Sequence, residues 1–68
     1  MKYSIGQKIR IIRAEDRQPY ETVGKEGIIV AIDTDCDCYV INLIDEKYQQ
    51  YNGYLFDDQD IEIIEEDK

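Results

Sequence analysis

The chain has 68 residues and a formal net charge of −8, with no histidine, no tryptophan and two cysteines. That length allows one small domain, which buries only ~60% of the surface its unfolded chain exposes. It excludes a transmembrane helix, because no run of 18 apolar residues occurs. Met1-Lys2-Tyr3-Ser4 leads into mixed polar sequence rather than the apolar region of a signal peptide, so the expected location is the cytoplasm.

The charge is uneven: residues 1–25 carry +3 and residues 26–68 carry −11. An acidic surface of this density repels phosphates and favours basic partners. Solubility is the plainer explanation of the same charge.

Residues 7–13 read as the first strand, with Ile9 and Ile11 alternating with Lys8 and Arg10. Ile12 breaks the alternation and marks either a bulge or the strand end. Residues 14–23 form a long polar loop holding Pro19 and Tyr20, with a short helix over 14–18 as an alternative. Gly24 and Gly27 bracket a tight turn that feeds a central strand over residues 26–32, apolar on both faces. Gly27 is expected either to take a positive φ or to let another backbone approach closely.

Residues 33–37 are a turn by composition. A third strand over 38–44 places Tyr39, Ile41 and Leu43 on its inner face, because Asn42 on the other face would need a partner if buried. A polar connection over 45–50 leads to a fourth strand over 51–56, with Gly53 as a bulge or kink. Residues 57–60 read as one turn of 3₁₀ helix, 61–64 as a fifth strand and 65–68 as a charged tail. The expected core is Ile9, Ile11, Ile29, Ile32, Ile41, Leu43 and Leu55. Within the central strand a slip of one residue would exchange Ile29 for Ile28 and Val30.

Five short strands, a long early loop and a helical turn before the last strand predict an all-β, five-stranded SH3-like barrel spanning residues 1–68. The pattern Gly24-x-x-Gly27-x-Ile29-x-x-Ile32 resembles the glycine-and-aliphatic core of KOW-type SH3-like domains. Gly6-x-x-Ile9 before it, and Tyr54-Leu55-Phe56 with Asp60-Ile61-Glu62-Ile63 after it, extend the likeness. The resemblance implies RNA or ribosome association. The charge argues against that, because affinity for phosphates rests chiefly on Lys and Arg. First and last strands usually pair in such barrels, which sets Lys8 and Arg10 near Glu62 and explains the charge asymmetry without a ligand.

Catalytic candidates are scarce. The absence of histidine removes the commonest general base, and the single serine, Ser4, sits near the N-terminus. The expected role is therefore non-enzymatic, with no cofactor. Asp33-x-Asp35-x-Asp37 starts like a calcium loop, but Cys38 and Ile44 stand where that loop needs Gly and Glu. Cys36 and Cys38 provide two sulfurs where structural zinc takes four ligands. No metal site is expected.

The leading reading is an interaction module that meets a protein with a basic surface, without membrane or direct nucleic-acid binding. Its expected contacts are the loop aromatics Tyr20, Tyr48 and Tyr51 and the aspartates Asp33, Asp35, Asp37, Asp57, Asp58 and Asp60. Tyr39 and Tyr54 are assigned instead to the core or a strand face. A sharper form is an inhibitor that mimics nucleic acid, of the kind carried by phages and mobile elements. If Asp33, Asp35 and Asp37 are extended, their carboxylates project on one face ~6.5 Å apart and imitate phosphates. The remaining reading is a structural subunit that adds a strand from residues 51–56 to a larger assembly.

Overall fold

The computed structural model describes residues 3–15 and 18–64. The tail at 65–68 and part of the helical alternative at 14–18 lie outside the described residues. Five antiparallel strands form one sheet: β1 (Lys8–Ile11), β2 (Glu26–Asp33), β3 (Cys38–Leu43), β4 (Leu55–Phe56) and β5 (Ile61–Ile63). Their spatial order is β4-β3-β2-β1-β5, so first and last strands pair. The protein is all-β, and this strand order is compatible with an SH3-like barrel. Helix among the described residues is confined to two 3₁₀ segments, Tyr20–Thr22 and Glu46–Tyr51. None of it is long and apolar enough to cross a membrane.

Ile9, Ile11, Ile29, Tyr39, Ile41, Leu43, Phe56 and Ile61 make the buried core. Ile29 and Ile32 are three residues apart, yet both turn towards it, Ile29 fully and Ile32 in part. Strict alternation forbids that. The pairing of β2 with β3 resolves it: Ile29 opposes Ile41, Ala31 opposes Val40, and Val30 between them is an extra residue. This bulge resets the parity, so Ile32 faces the buried Tyr39 while Val30 stays exposed.

Gly27 carries an ordinary φ. Its importance is close approach, because a Cβ there would lie 2.6 Å from Ile41 Cγ2 and 2.8 Å from the Asn42 carbonyl oxygen. The polar face of the sheet is tied by charge. Arg10 lies directly opposite both Glu26 and Glu62 and pairs with them at 3.3 and 3.1 Å, while Lys8 reaches Glu26 at 3.6 Å.

Three expectations change. The first strand stops at Ile11 rather than 13, because Ile12 and Arg13 turn away to donate their N–H groups to the Asp60 carbonyl at 2.8 and 3.2 Å. Residues 51–54 are not strand. Tyr51 closes the second 3₁₀ segment and Gly53 turns the chain with a φ of +93°. Backbone bonds persist from Gly53 and Tyr54 to Ile41, but at Leu43 side chains take over: Asn52 Oδ1 accepts its N–H at 2.8 Å, and Gln49 Nε2 donates to its carbonyl at 2.9 Å. Leu55 is therefore not core. It pairs with the outward Val40 and is 37% exposed, while Phe56 opposite Tyr39 is 1% exposed.

Candidate functional site

The hairpin between β2 and β3 ends where Asp33 opposes Cys38. Residues 34–37 form a turn. Asp33 Oδ1 accepts the Asp35 N–H at 3.0 Å, and Asp37 takes a φ of +56°, the left-handed region that aspartate tolerates better than most residues. The three aspartates therefore do not form an extended row, and the phosphate-like spacing expected of them is absent.

The sheet register supplies a different arrangement. Tyr39 opposes Phe56, so the next residue along, Asp57, emerges beside Cys38. The Cys38 thiol registers this setting. Its pKa is pushed up to about 11, first by burial, then by its neighbour Cys36, then by the negative charges of Asp57 and Asp33. The thiol also donates to the Cys36 carbonyl at 3.2 Å. The hairpin aspartates and the start of the β4–β5 turn thus meet at one end of the sheet. Asp35, Asp37 and Asp58 are exposed there, and Asp33 and Asp57 are half-buried.

Asp60 does not belong to that exposed group. It is 2% exposed and anchors the junction between the long early loop and the β4–β5 turn. Arg13 Nε donates to its Oδ1 at 3.0 Å, Gln18 Nε2 to its Oδ2 at 3.1 Å, and the Asp57 N–H to its Oδ2 at 3.3 Å. Its own N–H donates to the Asp57 carbonyl at 3.0 Å, so residues 57–60 close as one hydrogen-bonded turn where a turn of 3₁₀ helix was expected. Asp57 holds the same turn by accepting the Gln59 N–H at 3.0 Å. A buried carboxylate needs such partners, and all buried side-chain polar atoms among the described residues have them.

The tyrosines separate into three groups. Tyr39 is buried, as expected, and its hydroxyl accepts the Tyr3 N–H at 3.0 Å. Tyr20 stands 74% exposed on the first 3₁₀ segment. Tyr48 and Tyr51 do come together, with ring centroids 6.0 Å apart, and Tyr54 continues the strip 6.3 Å from Tyr51. Tyr54 is 39% exposed and precedes β4, so of the core or strand-face positions expected for it neither is taken. Lys25 Nζ lies 4.5 Å over the Tyr48 ring. The spacing of 48 and 51 is the signal available in the sequence, since residues three apart share a face of a 3₁₀ helix, whereas Tyr54 lies past the turn at Gly53 and has no such signal. Lys25 has no such signal, because its approach depends on the Ile44 N–H donating to the Glu26 carbonyl at 3.0 Å.

The cations of β1 and its exit are engaged within the protein: Lys8 and Arg10 as above, and Arg13 with Asp60 and Glu15. The edge strand β4 is two residues long, and Gln18 Nε2 donates to the Leu55 carbonyl at 2.8 Å, which blunts it as a template for another chain. Both cysteines are free, Cys36 exposed and Cys38 half-buried. Among the described residues no group of three or more Cys, Asp or Glu side chains is placed to hold a metal ion. No family model, curated protein or solved structure matches the chain.

Proposed function

We propose that the protein is a non-enzymatic interaction module whose acidic end, Asp33, Asp35, Asp37, Asp57 and Asp58, binds a basic protein surface. The observation that carries this reading is the register of β3 with β2 and β4. It sets Asp33 and Asp57 on either side of Cys38 and merges two sequence clusters into one surface. Concentrated carboxylates of this kind accelerate encounter with a positive partner and give salt-sensitive binding. A groove that ordinarily takes nucleic acid is the sharpest form of such a partner. Mimicry would then rest on charge density, since the aspartates lack a phosphate-like period.

The KOW-type reading needs a basic face for RNA. Against it stands the pairing of Lys8, Arg10 and Arg13 with carboxylates, which leaves those cations poorly placed to neutralise phosphates. The test is affinity capture from cell extract with the wild-type domain and a variant carrying Asp35→Lys, Asp37→Lys and Asp58→Lys. The reading expects a basic protein retained by the wild type, released by salt and lost with the variant. Retention of RNA in place of a protein would overturn it.

A further inference from the structure

We propose that the Tyr48–Tyr51–Tyr54 strip is a second contact surface that takes arginine side chains of the basic partner. This rests on the function proposed above and names the chemistry that the partner presents. The three rings run in contact from the second 3₁₀ segment to the start of β4, at centroid spacings of 6.0 and 6.3 Å. Tyr48 and Tyr51 are half-buried and pack on the core, which fixes them, while Tyr54 is exposed. Fixed aromatic faces attract cations through their negative quadrupole. The protein already makes that contact once, with Lys25 Nζ 4.5 Å over Tyr48.

The charge nearest the rings is balanced, Lys25 and Lys47 against Asp45 and Glu46, so the bias towards a cation comes from the neighbouring acidic end. Asp45 and Glu46 sit at the entrance to the 3₁₀ segment that carries Tyr48 and Tyr51. Beyond Tyr54, β4 runs directly to Asp57 at the acidic end, three residues or ~10 Å of extended chain away. By strand parity Tyr54 shares the side of Phe56 and Asp57 that of Leu55, so a basic segment that meets both the rings and the aspartates passes around the β4 edge. Arginine fits better than lysine because its planar, weakly hydrated group stacks on aromatic faces.

The experiment titrates the isotope-labelled protein with hexa-arginine and, separately, hexa-lysine at low salt, following the tyrosine ring and aspartate-region amide resonances. The expected result is movement of the Tyr51 and Tyr54 ring signals, with the arginine peptide bound about threefold more tightly. Tyr54→Phe should keep that preference and Tyr54→Leu should lose it, with unchanged circular dichroism in both. Equal affinity for the two peptides, with ring signals unmoved and shifts confined to residues 33–37 and 57–58, would overturn the strip while leaving the acidic end in place. Failure of both peptides to bind would overturn both readings.

Discussion

Arg13 and Asp60, 47 positions apart in the chain, are joined by a 3.0 Å hydrogen bond from Nε to a carboxylate oxygen that is almost wholly shielded from water. Through it the exit of β1 is fastened to the turn before β5. The pairing also raises the Arg13 pKa above its already high ordinary value, chiefly through the hydrogen bond to Asp60. Because Arg13 is itself solvated, the vulnerable partner is Asp60.

Asp60→Asn keeps the shape but turns an amide donor towards Arg13 in one orientation and towards both Gln18 and Asp57 in the other, all of which already donate. One buried donor is left unsatisfied, at a cost of about 1–3 kcal/mol. Arg13→Ala should cost less, since water can replace an exposed guanidinium. Urea unfolding of the two variants, monitored by far-ultraviolet circular dichroism, checks the order.

Gly27→Ala should destabilise more than Gly53→Ala, although Gly53 has the unusual backbone. At Gly27 the new methyl would meet Ile41 Cγ2 at 2.6 Å and a rigid backbone oxygen at 2.8 Å, and overpacking of this sort costs about 1–3 kcal/mol or more. At Gly53 the φ of +93° is strained for alanine but no atom lies within 4 Å, so the cost is about 1 kcal/mol. Melting temperatures of the two proteins give the comparison.

Phe56→Ala should cost about 3–5 kcal/mol, as a large buried side chain leaves a cavity. Leu55→Ala, on the outer face, should remain within about 0.5–1 kcal/mol of wild type. Chemical denaturation of the pair tests which residue of β4 faces the core.

That comparison also marks how far the sequence was legible. Alternation placed Ile9, Ile11, Ile41 and Leu43 correctly because Lys8 and Arg10 in β1, and Asn42 in β3, mark the face turned away from the core. The pairing of first and last strands followed from the barrel resemblance, and the opposed charges of Arg10 and Glu62 agree with it. The fourth strand misled, since Tyr51, Tyr54 and Phe56 favour strand on either side of Asn52-Gly53, and the bonding of Leu43 by Asn52 and Gln49 side chains is a tertiary event. The candidate site was half visible. Its aspartates and two of its tyrosines were evident, but a one-letter pattern does not distinguish the buried Asp60 from the exposed Asp58. Nor does it reveal that the two acidic clusters meet.

Cys38 predicts an alkaline effect. Its folded pKa of about 11 exceeds the ordinary value of 9.0, so folding favours the neutral thiol. Stability from this group is complete below pH 9.0 and declines as pH rises through about 11, where the unfolded chain releases the proton before the folded one. The difference in stability between wild type and Cys38→Ala should narrow across that window. In alkylation at neutral pH, the exposed Cys36 should react before Cys38.

The union of the two acidic clusters is tested most directly with the captured partner and three variants: Asp35→Asn with Asp37→Asn, Asp57→Asn with Asp58→Asn, and all four together. Asparagine keeps the left-handed backbone at position 37 and the acceptor that holds the Gln59 N–H, so the fold is preserved. Calorimetric titration at low and physiological salt should show that each pair weakens binding and flattens its salt dependence, with the fourfold variant weakest. Wild-type affinity in either double variant, with folding intact, would contradict a single acidic surface.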